Sequence, residues 1–361
     1  MENFSDRLLP LLSQAEKPSR YTGGEWNAVK KTHPVRARFC LCFPDLYEIG
    51  MSNLGMQILY SEINSHDDFA CERCYAPAED MAALLKAHRI PLLSLETATP
   101  LKDFDVVGFS VQFELLYTGV LYMLDLAGIP FRAEDRGEEF PILLAGGPCA
   151  VNPEPFADFF DCVVIGEGEG VDAAVLALVA EGKEKGWSKR EILRRAKEIT
   201  GVYVPSMREK GEKVVKAVYA DFEHAPYPVR PVVANTEAVH DRAVIELYRG
   251  CASGCRFCQA GYYYRPIRER SPERCAQQAK DIVENTGYGE IAMCSLSTGD
   301  YSGLHALMDG LRDFVHEKRV NLSLPSLRLS SFSGDIAQES RRSSLTFAPE
   351  AGTQRLRDVI N

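Results

Sequence analysis

Hydrophobic positions along this chain follow two periods in turn, and the alternation repeats. Residues 35–43 (VRARFCLCF) alternate in strand fashion, and residues 51–63 carry apolar side chains at helical spacing. Residues 79–88 read as another helix. Residues 105–112 (DVVGFSVQ) give a strong buried-strand signal, and 115–126 a helix closed by Gly128-Ile129-Pro130. Short apolar strands follow at 141–145 and 161–165, each entering a glycine-rich turn, with a helix at 171–181. Strands alternating with helices are most economically arranged as a parallel, doubly wound α/β sheet.

The rhythm breaks between 183 and 240. A charged helix at 189–199, a short apolar run at 202–205, a hairpin around 210–212 and a proline-rich stretch at 226–231 read as a connector. A second alternating series then begins with a strand at 243–248. It continues with a helix at 272–285, capped by Ser271 and followed by Gly287, a strand at 290–296 and a helix at 304–317. A strand at 320–324, a helix at 335–341, a strand at 345–348 and a helix starting at 353 make four β-α units, the last unfinished. The expected division is a lead-in (1–34), a doubly wound domain (35–182), a connector (183–240) and a partial barrel (241–361). Closing such a barrel needs more strands, from a C-terminal continuation or a partner chain.

Composition narrows the chemistry. A net charge of −10 argues against a broad phosphate-binding surface. No apolar run is long enough to cross a bilayer, and the first ten residues lack a signal-peptide layout, so a cytoplasmic location is the expectation. In a reducing compartment the 11 cysteines are thiols or metal ligands rather than disulfides.

Three of them stand close together. The segment Tyr248-Arg249-Gly250-Cys251-Ala252-Ser253-Gly254-Cys255-Arg256-Phe257-Cys258 follows a strand directly. Gly250, Gly254 and Gly261 permit the backbone angles with which a tight loop wraps a cubane cluster. Three thiolates leave one iron open for a cofactor or substrate, as an open zinc site does. Closed zinc, a simple electron-transfer cluster and incidental cysteines in a glycine-rich turn are the alternatives. No second cysteine knuckle appears, because Cys275 and Cys294 belong to the following helix and strand.

Cys-x3-Cys-x2-Cys after the first strand of a barrel, with an aromatic before the last cysteine, resembles the radical S-adenosylmethionine (radical SAM) superfamily. The resemblance implies a 4Fe-4S cluster on Cys251, Cys255 and Cys258 whose fourth iron chelates the amino and carboxylate groups of S-adenosylmethionine. It implies an external one-electron reductant and cleavage of the cofactor to a 5′-deoxyadenosyl radical. Phe257 matches the aromatic near the adenine. Ser297-Thr298-Gly299-Asp300 stands where the family usually has Gly-Gly-Glu, the segment that binds the methionine amino group. From the residues alone, Thr298 and Asp300 are acceptors at a strand C-terminus or, equally, the capped start of a helix. Arg328, Ser330 and Glu350, after the third and fourth strands, are further cofactor-binding candidates.

The N-terminal half offers loops at Ser110-Val111-Gln112, Gly146-Gly147-Pro148 and Gly166-Glu167-Gly168-Glu169, where small residues let a flat, bulky ligand approach the backbone. They make neither a dinucleotide fingerprint nor a P-loop. This half resembles the cobalamin-binding domain fused in front of many radical SAM enzymes, without the Asp-x-His-x-x-Gly motif that supplies an axial histidine. The implied fold is an N-terminal Rossmann-like doubly wound sheet of cobalamin-binding type, followed by a truncated radical SAM (β/α) barrel. Its alternative is a degenerate Rossmann-like domain used for packing or partner binding.

Other features are weaker. Cys71 and Cys74 form a lone Cys-x-x-Cys, a spacing that on a strand would put the thiols on opposite faces and so disfavours shared metal or redox use, and Cys40 and Cys42 share one strand face. Tyr262-Tyr263-Tyr264-Arg265 with Arg268 and Arg270 fits a barrel rim. The reading is a radical SAM enzyme, with methyl transfer one possible outcome. The alternatives are a non-catalytic iron–sulfur redox or sensor protein and an inactive fragment. The substrate class (RNA, protein or small molecule) stays open.

Overall fold

The computed structural model describes residues 4–324 and 349–360. The chain divides into two units, residues 1–219 with 231–239, and residues 220–230 with 240–361.

In the first unit a six-stranded sheet is built from β1 (Ala37–Phe43), β2 (Phe69–Tyr75), β3 (Val106–Ser110), β4 (Ile142–Gly146), β5 (Cys162–Val164) and β6 (Val202–Tyr203). Its order is β2-β1-β3-β4-β5-β6. The first five run parallel, whereas β6 pairs antiparallel to β5. The crossovers carry helices α1 (Phe4–Leu12), α2 (Tyr47–Met51), α3 (Leu54–Ser65), α4 (Glu79–Ala87), α5 (Leu116–Ala127), α6 (Val171–Lys185) and α7 (Lys189–Ala196) before, between and after the strands. Local chemistry sets their ends. The Asn53 side chain accepts from Met56 N at the start of α3, and Gly128 at φ +66° closes α5. Every residue of β2 and of β3 is buried, as expected of parallel strands covered on both faces.

β2 is absent from the hydrophobic pattern because two charges interrupt it. Both are paired. Glu72 accepts from Ser94 Oγ (2.6 Å) and Arg38, and Arg73 bonds Glu96 (2.7 Å) and Glu25 (2.9 Å). Glu25 comes from the lead-in, which therefore enters the core.

The stretch 183–240 forms no body of its own. Ile192, Leu193, Ala196, Val202, Tyr203 and Val204 join the first core, while 220–230 belongs to the second unit. The expected hairpin at 210–212 is a lone turn, because the chain after it bridges away: Ala217 pairs in parallel with Gly166.

The second unit has parallel strands β7 (Ala243–Glu246), β10 (Glu290–Cys294) and β11 (Asn321–Ser323) in the order β11-β10-β7. A separate two-stranded ladder joins β8 (Tyr248–Arg249) to β9 (Arg268–Glu269). The short helix α8 (Ala260–Tyr263) precedes β9. Helix α9 (Pro272–Thr286) and helix α10 (Leu304–Lys318) supply the crossovers. Ala243, Ile245, Ile291 and Met293 pack against Cys275, Ala279, Leu307 and Leu311 of these helices. The Tyr227 hydroxyl donates to Val244 O (2.6 Å) and accepts from Glu246 N (3.0 Å), satisfying backbone groups of β7. The expected helix at 335–341 and strand at 345–348, with Arg328 and Ser330, lie outside the described residues. Among those described, no helix is long and apolar enough to cross a membrane.

Candidate active site

The cysteine loop is pinched shut at its base. β8 and β9 pair Tyr248 with Glu269 and Arg249 with Arg268, closing the loop that carries all three cysteines. Gly250, at φ +98°, lies against Ile267 across this neck. Inside the loop Cys258 N donates to Cys255 O (3.0 Å), and Gly254 adopts φ +63°. Cys251, Cys255 and Cys258 are half-buried. Of the other eight only Cys294 is; the rest are buried. Burial pushes the Cys275 and Cys294 thiols up to about 11. A cavity of about 490 Å³ lies against the loop, lined by Cys251, Ala252, Arg265, Pro266 and Ile267.

A cationic cluster flanks the neck. Arg249 grips Glu246 through Nε (2.8 Å) and Nη2 (3.0 Å), and Arg270 Nη1 donates to Glu246 O (2.8 Å). The guanidinium groups of Arg249, Arg268 and Arg270 stand 5.0, 5.6 and 4.0 Å from the Phe222 ring centre. Phe222 lies in the former connector, so nothing in the sequence tied it to the cysteines.

Thr298–Asp300 forms a 3-10 turn, and α10 starts only at Leu304 with Gly303 at its cap. Thr298 and Asp300 therefore do not cap that helix. Ser297 and Thr298 are buried, Gly299 is half-buried and Asp300 exposed. Thr298 Oγ1 pairs with Ser295 Oγ at 3.1 Å, while Ser297 Oγ has no hydrogen-bond partner among the described residues. Tyr248, which the sequence did not single out, donates its hydroxyl to Ser297 O (2.5 Å). Phe257 is 59% exposed. Glu350 is exposed, four residues before the helix Gln354–Ile360, whose Ile360 O accepts from Arg256 N (3.1 Å) in the cysteine loop.

Comparison with known proteins decides the family. Residues 245–361 match the Radical SAM superfamily, and residues 55–205 match the family described as Radical SAM proteins, N-terminal. The chain belongs to the radical SAM superfamily. The uncharacterized protein MJ0966 of Methanocaldococcus jannaschii is 25% identical over 323 residues, which are 89% of this chain and 62% of that protein. The chain thus spans less than two thirds of that relative's length. Two structures of the radical SAM methyltransferase TsrM from Kitasatospora setae are 13% and 14% identical, with a TM-score of 0.49. The first holds tryptophan substrate and a SAM analog, the second cobalamin and a 4Fe-4S cluster. Each comparison covers 84% of this chain and 56% of TsrM.

In this radical SAM protein the three N-terminal loops leave β3, β4 and β5 at the same end of the sheet, and two of their glycines serve the chain itself. A Cβ on Gly147 would lie 2.6 Å from Val111 O, and one on Gly166 2.2 Å from Ala217 O. At these two positions glycine admits the chain's own backbone. Glu167 accepts from Tyr219 N (2.6 Å), and Gly168 packs near Leu59. Glu169 is buried with Glu62 and Asp172. Pro148 opens a 3-10 turn, and Gln112 Nε2 donates to Ser110 Oγ (2.7 Å). A Cβ on Gly146 would meet Val164 Cβ at 3.9 Å, an ordinary van der Waals contact. Phe113 and Leu115, just after β3, are 42% and 83% exposed.

Proposed function

We propose that this protein binds a 4Fe-4S cluster through Cys251, Cys255 and Cys258 and cleaves S-adenosylmethionine reductively there. The observation that carries this is three half-buried thiols on one pinched, glycine-hinged loop beside a cavity of about 490 Å³. Among the described residues no three ligating side chains are gathered as around a metal ion. What supports the reading is the donor chemistry, three cysteines on one short loop, which is the set that takes a 4Fe-4S cluster. With its cofactor, the cluster would supply a 5′-deoxyadenosyl radical for hydrogen abstraction.

The remaining roles fall to this chain's own residues. Ser297, Thr298, Gly299 and Asp300 would bind the methionine amino group, with Phe257 beside the adenine. Glu350, with Arg328 and Ser330, would complete the cofactor contacts. An external one-electron reductant is required.

In the first unit a corrinoid would lie at the C-terminal edge of the sheet, where the order β2-β1-β3 reverses direction between β1 and β3. Gly146, Gln112, Phe113 and Leu115 support that placement. Methyl transfer is the outcome that such a pair of cofactors suggests.

Anaerobic reconstitution with iron, sulfide, S-adenosylmethionine and a reductant tests the reading. The expected products are 5′-deoxyadenosine or S-adenosylhomocysteine. An intact cluster that yields neither would favour a redox or sensor protein. Retention of cobalamin absorbance through gel filtration tests the corrinoid.

A further inference from the structure

We infer that Tyr248 and Tyr301 form a latch that sets the 297–301 turn in register with the cysteine loop, making them positioning residues for cofactor binding. The inference rests on the proposed cluster and cofactor sites.

The turn and the neck hold each other reciprocally. Tyr248 belongs to β8 and lies three residues before Cys251. Its hydroxyl donates to Ser297 O at 2.5 Å, at the start of the turn. Tyr301 ends the turn, and its hydroxyl donates to Arg270 O at 2.7 Å, one residue beyond β9. The turn thus has one tyrosine bond to β8 and one to the residue that follows β9. The rings stack, with centroids 6.4 Å apart and planes 11° from parallel. Both side chains are buried, at 5% and 4% exposure. Ser302 adds a third tie, donating through its amide and hydroxyl to Glu269 of β9.

The surroundings place the Tyr248 hydroxyl near both halves of the site. Burial, then Asp300, push it up to about 12, with Ser295 and the Ser297 backbone lowering it by hydrogen bonding. It therefore stays a donor at neutral pH. The hydroxyls of Tyr248 and Tyr301 are taken up by backbone carbonyls, so the role inferred is positioning, not contact with the cluster or the cofactor. Together they fix where the acceptors of the turn stand relative to the cysteines, and a small misplacement is enough to weaken cofactor binding.

The test uses Tyr248→Phe, Tyr301→Phe and the double variant in the full chain, reconstituted anaerobically. Iron and sulfide content are measured first. S-adenosylmethionine is then titrated while the electron paramagnetic resonance spectrum of the reduced cluster is followed, and KM and kcat are compared. Each single variant should keep its cluster and need about tenfold more cofactor for half-saturation, since a buried carbonyl loses its donor. Saturating turnover should change by less than about twofold. The double variant should be little worse than either single one, because both break the same alignment.

Wild-type titrations in both single variants would overturn the latch. So would loss of the cluster in both, which would make the tyrosines supports of the cysteine loop. If Tyr248→Phe alone loses its cluster, the Tyr301→Phe titration decides. A wild-type cluster that ignores S-adenosylmethionine overturns the parent reading and the latch with it. A responding wild type with unchanged variants overturns the latch alone.

Discussion

Gly250 and Ile267 meet across the neck of the cysteine loop so closely that a Cβ on Gly250 would lie 3.0 Å from Ile267 Cα. Gly250 also holds φ +98°, a region that side chains rarely adopt. Substitution by alanine should cost about 1–3 kcal/mol of local strain and spread β8 from β9. Gly250→Ala should therefore take up much less iron on reconstitution than wild type. Ile267→Ala should not rescue it, because the nearest atom is backbone. Iron content per chain checks both points.

The cysteines separate by environment. Cys251→Ser, Cys255→Ser and Cys258→Ser should each abolish the cluster's visible absorbance. Cys162 is wholly buried in β5, so Cys162→Ala should keep that absorbance and lose about 1 kcal/mol of stability. A cluster that survives any of the three serine substitutions would remove that residue from the ligand set.

The alternation of strands and helices was legible because apolar periodicity reports burial, and burial is what these elements share. β2 was not, since Glu72 and Arg73 break the pattern and their partners, Arg38, Ser94, Glu25 and Glu96, are brought in only by folding. The cysteine triplet was legible because its ligands are adjacent in sequence. The Tyr248–Ser297 tie joins residues 49 apart and leaves no local signature. Gly147 and Gly166 show a different limit. A glycine signals that something comes close, and whether that is a ligand or the chain's own carbonyl depends on three-dimensional contacts.

Arg73 is 2% exposed and holds two buried carboxylates, Glu25 and Glu96. Arg73→Met should leave both without their cation and cost about 3–5 kcal/mol. Replacing all three residues with apolar ones of similar size should cost less, since no charge is then stranded. Both tryptophans, Trp26 and Trp187, belong to the first unit, so fluorescence during urea denaturation reports on that unit. A triple variant as unstable as Arg73→Met would contradict the charge argument.

Glu62 makes the stability of the first unit depend on pH. Burial pushes its carboxyl up to about 7, with Glu169 adding to the rise and the Gly170 amide opposing it. Glu62 Oε1 accepts from Gly170 N at 2.7 Å, while Oε2 has no hydrogen-bond partner among the described residues. Burial, Glu62 and Glu169 raise Asp172 as well. An unfolded glutamate titrates near 4.3, so between about 4.3 and 7 the folded chain binds more protons than the unfolded one. The stabilisation from the bound proton is complete below that window and is lost as pH rises through it, by about 3–4 kcal/mol. Glu62→Gln keeps the acceptor for Gly170 and cannot ionise. Its advantage over wild type should therefore grow from about pH 5 to about pH 8, leaving only the slope due to Asp172 and other groups. Urea midpoints read by tryptophan fluorescence check this, and parallel pH profiles for the two proteins would show that Glu62 is not the group responsible.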